Sequence, residues 1–453
     1  MPMSLEFREK LPSALRQAIT EFRDNPKGRS GINLAIGNVP DKMHPALIER
    51  MFNLDRKDSP VANGSVMYTD SGGLSETQKA FQNIIASSLV RMSEQDAEKY
   101  TNNLAVQVTD GGSMAMEVAI LGVCGPAGTG KEPLLLIDPA YTNYNEFAKR
   151  LGRKTISVRR ELQDNGVFTL PNPEEMREFI ERYKQKHNTV PGGLVIIPYD
   201  NPTGQYFNHK QMLEFAQICV DFDMYMISDE AYRELCYLDV PGEDFTSIWK
   251  ITNDDVPGIE GKRLSIETAS KVWNACGLRV GALVGDDSKF IDKAYAVYTS
   301  NLSTNTIGQY MFGALAHESR DNLRKWYAER RNHYKSMIPP FVKQLKREVP
   351  GLIVSNPDAS IYCVLDCKDI DGFDNAMSFI KYCAIDGDAY TEIDGIKYTI
   401  LAAPMTGFYT VEKGEDNPGQ MQMRLAFVRK PEEMTHAAYV TKGLINKYTL
   451  NKR

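Results

Sequence analysis

Seven short apolar runs, separated by stretches of helical periodicity, constrain this chain more than any other feature. They are LAVQVTD (104–110), PLLLID (133–138), KTISVRR (154–160), GGLVIIPYD (192–200), MYMISDE (224–230), RLSIETA (263–269) and VGALVGD (280–286). Nearly continuous Val, Ile and Leu is what a strand shows when both of its faces are covered. Between two of these runs, KQMLEFAQICVDFD places Met212, Phe215, Ala216, Cys219 and Val220 on one helical face. Strand and helix in alternation predict a three-layer α/β/α domain around a mostly parallel sheet.

Near residue 309 the pattern changes. HESRDNLRKWYAERRNHYKSMI reads as a long charged helix with a solvated face, followed by β-like segments and a last helix. The first 55 residues also lie outside the alternation. At 453 residues the chain is long enough for more than one folding unit. The expected division is 1–55 and 321–453 as two parts of a smaller α+β domain built from both chain ends, and 56–320 as the large domain.

A formal net charge of −6 makes nonspecific nucleic-acid binding an unpromising function. No run of 18 apolar residues predicts a membrane span, and the charged N-terminal segment lacks the apolar core of a secretory signal. Seven loosely spaced cysteines predict free thiols in a reducing compartment, hence a cytoplasmic protein. Cys363 and Cys367 have no second Cys or His pair at zinc spacing, so no metal site is expected; SIYCVLDC alternates like a strand.

Gly125-Pro-Ala-Gly-Thr-Gly130-Lys131 imitates a phosphate-binding loop. Glu132 stands where that motif needs Ser or Thr, and the segment follows a helix and precedes a strand, the reverse of the required order. A plain helix-to-strand turn is expected. Asn63-Gly-Ser65 and Asn301-Leu-Ser303 fit a glycosylation pattern that has no use without secretion.

The chemistry-bearing residues cluster at the carboxyl ends of the predicted strands, where open α/β sheets bind ligands. Lys271 follows RLSIETA, and a partly desolvated lysine there can form a Schiff base with a carbonyl compound. Arg279, with hydroxyls at Thr268 and Ser270, suits a phosphate dianion. Asp229 ends MYMIS, and Asn201 opens Asn-Pro-Thr-Gly after GGLVIIPYD. An amine for an aldehyde, an acid for a ring nitrogen and cationic donors for a phosphate are what pyridoxal 5'-phosphate requires.

NPTG, SDEAY and SKxxxxxGLRxG occur in that order, with 28 residues from Asn201 to Asp229 and 42 from Asp229 to Lys271. In this the chain resembles the fold-type I, pyridoxal-phosphate-dependent aminotransferases of class I/II, the aspartate aminotransferase superfamily, from about Gly37 to Arg424. The resemblance implies that Lys271 holds the cofactor and shuttles a proton, that Asp229 pairs with the pyridinium nitrogen, and that Asn201 and Tyr232 bond the ring's phenolic oxygen. It assigns the phosphate to Ser270, Arg279, Gly112 and Ser113, with Thr268 a lesser candidate. Glycines at a helix start allow the close approach this needs. Tyr141 would stack on the ring. Tyr68 would reach the phosphate of a neighbouring subunit, which makes the functional unit a homodimer with shared sites. Gly37 and Arg424 would bind the substrate carboxylate, Arg424 through two parallel hydrogen bonds.

One departure bears on specificity. The segment 292–298, where the animal-type aspartate enzymes carry a second carboxylate-binding arginine, holds only Lys293 as a cation. The expected activity is transfer of an α-amino group between an L-amino acid and a 2-oxo acid, with aspartate or an aromatic amino acid as donor. A β-lyase acting on a sulfur amino acid, or a non-enzymatic regulator on the same fold, is the alternative.

Overall fold

The computed structural model of the chain describes residues 13–130, 132–412 and 414–450. The first twelve residues of the N-terminal segment and Lys131 lie outside the described residues. The first strand, β1 (Ser30–Asn33), is followed by β2 (Ala105–Asp110), β3 (Leu134–Asp138), β4 (Thr155–Arg159), β5 (Gly193–Ile196), β6 (Tyr225–Asp229), β7 (Arg263–Thr268) and β8 (Val280–Gly285). The last seven form one sheet in the order β2-β8-β7-β6-β5-β3-β4. All its pairings are parallel except the two that β8 makes. The predicted fold class is therefore the observed one. Every residue of β5, β7 and β8 is buried; β5 and β8 are unbroken apolar runs, whereas β7 also buries Arg263, which pairs with Asp286 at 2.7 Å, and Glu267, which pairs with Arg233 at 2.5 Å.

The run 192–200 yields a strand only as far as Ile196. Pro198 has no N–H for a sheet ladder, and the chain turns away through the buried Tyr199 and Asp200. Helix Gly111–Cys124 packs on β7 and β8, and helix Ser288–Tyr298 packs on β2 and β8. Helix His209–Asp221 opens with a reciprocal cap between Asn208 and Gln211.

The predicted turn at the false phosphate loop is present over residues 125–130. Its carbonyls converge on one cation: Arg153 donates to Gly125 O at 2.7 Å, Gly130 O at 3.0 Å and Thr129 O at 2.5 Å. A phosphate loop instead turns N–H groups inward.

The charged helix spans Arg320–Glu348 and is less solvated than its charges suggest. Leu323, Trp326, Tyr327, Tyr334, Ile338, Phe341 and Leu345 recur at helical spacing and are buried. Arg331 is buried as well and pairs with Glu234 at 3.4 Å. The apolar stripe carries the packing, and several charges find partners beneath it.

The remaining strands are β9 (Ile353–Val354), β10 (Tyr362–Asp366), β11 (Thr391–Ile393), β12 (Ile396–Leu401), β13 (Ala403–Pro404) and β14 (Gln422–Ala426). They form two small sheets, β13-β14-β10-β9 and β1-β12-β11. β1 runs parallel to β12, so an early segment of the chain shares a sheet with a late one. Leu34 continues this contact, donating to Leu401 O and accepting from Ala426 N, each at 2.8 Å. This threading carries residues 35–37 to the mouth of the large sheet. Among the described residues no helix is long and apolar enough to cross a membrane.

Candidate active site

β2, β3, β5, β6 and β7 all point their carboxyl ends to one edge of the large sheet, because β2 and β7 both run against β8. Gly112 and Ser113 leave β2 there, Tyr141 follows β3, Asn201 follows β5, Asp229 ends β6, and Ser270 and Lys271 follow β7. Arg279 precedes β8 at the same edge. The sheet's topology alone brings these residues together.

Lys271 Nζ donates to the carbonyl oxygen of Gly37. Gly37 has no room for a side chain: a Cβ there would meet the Tyr362 hydroxyl and stand 3.3 Å from Lys271 Nζ. Asp229 is half-buried at the floor of the cleft. Its Oδ2 accepts from the Tyr144 hydroxyl at 2.5 Å and its Oδ1 from Ala231 N at 3.1 Å. Desolvation nevertheless dominates and pushes the carboxyl up to about 6; the two hydrogen bonds and the positive charge of Lys271 pull the other way.

Asn201 bridges two sides of the cleft. Its Oδ1 accepts from Arg424 Nη1 at 3.1 Å, and its Nδ2 donates to the Tyr232 hydroxyl at 3.4 Å. Tyr232 is buried, and its hydroxyl lies 2.8 Å from that of Tyr362. Burial, with Tyr362 next, holds the Tyr232 phenol well above its ordinary value, so it remains a hydroxyl. Burial likewise pushes Tyr141 up to about 12, and its hydroxyl feels Tyr362, Arg424, Asp229 and Arg279 at once.

At one end of the cluster, Gly111, Gly112 and Ser113 form the first turn of helix Gly111–Cys124, whose leading N–H groups have no intrahelical acceptor. Gly111 sits at φ +76°, and a side chain on it would run into the Arg279 guanidinium. Arg279 donates to Cys276 O at 3.1 Å and Asp110 O at 3.3 Å. The Thr268 and Ser270 hydroxyls lie 2.8 Å apart. Helix N–H groups, two hydroxyls and a guanidinium that the missing Cβ of Gly111 lets approach the helix start fit a phosphate.

At the other end, Arg424 on β14 is buried and lies over the rings of Tyr362 and Phe408, at 4.4 and 5.1 Å. Nη2 donates to Ala35 O at 2.8 Å, while Nε has no partner. A buried N–H without an acceptor costs about 1–3 kcal/mol, and an incoming carboxylate removes that cost.

Tyr68 is not part of this cluster. It is 75% exposed, in a row with Val66 at 62% and Met67 at 68%. Two residues in the cleft escaped the sequence: Tyr144, which has no motif around it, and Tyr362, which enters through strand pairing. β10 and β14 pair Val364 with Arg424 and Tyr362 with Ala426. Tyr362 is thus the diagonal neighbour of Arg424 on one face.

Solved structures share this fold. A Thermus thermophilus aspartate aminotransferase single mutant superposes with a TM-score of 0.74 at 19% identity, over 98% of this chain and all of that one. A Pyrococcus horikoshii kynurenine aminotransferase does so at 0.75 and 18%, over 98% and 97%. In sequence, the Bacillus subtilis aspartate aminotransferase is 24% identical over 363 residues, 78% of this chain and 81% of its own length. A probable aspartate/prephenate aminotransferase of Aquifex aeolicus is 24% identical over 67% of this chain and 69% of its own. Residues 29–404 match the family of class I and II aminotransferases, and the chain belongs to it. The protein is a pyridoxal-phosphate-dependent transaminase.

Proposed function

We propose that the protein moves the α-amino group between an L-amino acid and a 2-oxo acid, with aspartate or an aromatic amino acid as donor, and that it works as a cytoplasmic homodimer. The observation that carries the substrate reading is Arg424: a buried guanidinium with an unpartnered N–H, bonded to Ala35 O two residues from the Gly37 carbonyl that takes the Lys271 amine. When bound, pyridoxal phosphate supplies an aldehyde that condenses with amines and a cationic ring that accepts the electron pair left when Cα loses its proton.

The chain's residues do the rest. Lys271 Nζ would hold the cofactor's aldehyde carbon and, once freed by the substrate's amine, would carry the Cα proton to that carbon, two atoms from Cα. Asp229 Oδ keeps the ring nitrogen protonated. Tyr232 and Asn201 Nδ2 donate to the phenolic oxygen. Ser270, Arg279, Gly112 and Ser113 hold the phosphate, and Tyr141 faces the ring. Arg424 receives the α-carboxylate and so aims the Cα–H bond at Lys271, a gain in orientation.

Holoenzyme mixed singly with the twenty amino acids tests this. One of the proposed donors should convert the cofactor's absorbance from its aldehyde to its amine form, and a 2-oxo acid should restore it. Ammonia released from cysteine or cystathionine, with no reversible change, would indicate β-elimination instead.

The dimer rests on the exposed row Val66-Met67-Tyr68, an apolar stretch that a second copy would cover. Seven free thiols support a cytoplasmic setting. Sedimentation should give twice the chain mass. Tyr68→Phe should leave that mass unchanged and weaken cofactor affinity about tenfold, the loss of one hydrogen bond to a charged group.

A further inference from the structure

We propose that Tyr362 is a positioning residue that couples the substrate's carboxylate site to the cofactor's phenolic oxygen, acting through Tyr232 on one side and Arg424 on the other. The inference rests on the roles given to those two residues above.

Tyr362 is 2% exposed, and its hydroxyl stands 2.8 Å from that of Tyr232. Asn201 Nδ2 already donates to the same Tyr232 oxygen. With Tyr362 donating as well, the Tyr232 oxygen is saturated with donors, and its own proton is left for an acceptor in the cleft. A hydroxyl that accepts hydrogen bonds is a better donor in turn. Tyr362 thus orients the Tyr232 proton and strengthens it. The same ring carries the Arg424 guanidinium at 4.4 Å and meets the Tyr232 ring edge-on at 5.6 Å. One rigid phenol therefore fixes both groups. Gly37 makes this possible, because any side chain there would displace the Tyr362 hydroxyl.

The two halves separate by substitution. Tyr362→Phe keeps the ring and deletes the hydroxyl. In holoenzyme it should raise the midpoint of the absorbance pH titration of the Lys271-bound cofactor by about half a unit, since a weaker donor at the phenolic oxygen leaves the neighbouring nitrogen more basic. KM for the amino acid should stay within about twofold. Tyr362→Leu should shift the midpoint equally and also raise KM about fivefold, through loss of the ring face under Arg424. Tyr232→Phe is the control. It should move the midpoint further, and adding Tyr362→Phe to it should move it no more.

If Tyr362→Phe leaves the midpoint in place while Tyr232→Phe shifts it, the coupling is wrong and the Tyr232 assignment stands. If neither shifts it, the Tyr232 assignment fails and takes the coupling with it. A Tyr362→Leu protein that does not fold leaves the titration of Tyr362→Phe as a sufficient test.

Discussion

Lys271→Ala should lower transamination on the order of 10⁴-fold, the upper part of the range for loss of a positioned proton-transfer group. The variant loses the amine proposed both to hold the aldehyde and to move the Cα proton. No neighbour replaces it: the group its amine meets is the Gly37 carbonyl, which is no base, and burial holds the Tyr232 phenol well above its ordinary value. Added methylamine should restore part of the rate, since the site lacks an amine and not a shape. A Lys271→Ala enzyme with undiminished turnover would end the assignment.

Asp229→Asn should lower kcat/KM between roughly a hundred-fold and several thousand-fold, the effect of 3–5 kcal/mol for breaking a buried charge pair. The carboxyl also leaves a signature in stability. In the protein without cofactor its value is raised to about 6. The folded state then binds the proton more tightly than the unfolded chain, so this contribution is full below about pH 4 and lost as pH rises through 6, roughly 3 kcal/mol in all. A cationic ring nitrogen beside the carboxylate offsets the loss. The gain in melting temperature on adding pyridoxal phosphate should therefore be larger at pH 8 than at pH 5. In Asp229→Asn the difference between those two pH values should vanish, and the cofactor-free variant should be more stable at pH 8 than the cofactor-free parent. A cofactor gain equal at both pH values in the parent would show that Asp229 does not carry an uncompensated charge.

Both effects depend on groups that the residues alone make recognisable. β3, β5 and β8 are apolar almost throughout and readable as runs, β7 alternates apolar residues with buried polar ones, β4 is a half-buried edge strand, and the carboxyl end of each marks where its loop emerges. Asn201, Asp229, Ser270 and Lys271 lie within a few residues of such ends. Their convergence then follows from parallel pairing, a property of the alternation of strand and helix. The ends of strands are less legible: GGLVIIPYD shows no break in apolar character, yet Pro198 removes a donor and the ladder stops at Ile196. The long helix misleads for a related reason. Its charges are conspicuous, whereas the stripe from Leu323 to Leu345 is spread over many turns and becomes visible only when a partner surface covers it.

Local sequence thus determined the layered α/β class and the seven strands, and placed Lys271, Asp229 and Arg279, the residues proposed here as amine, acid and phosphate donor, at strand ends, because period, β-branching and strand ends are properties of neighbouring residues. Only the tertiary structure decided that Tyr144 caps Asp229, that Arg424 stands between Tyr362 and Phe408, and that Gly37 closes over Lys271. Each of those contacts joins segments far apart in the chain through a strand register or a helix docking, and a register is chosen by the packing of whole sheets, which no short stretch of residues records.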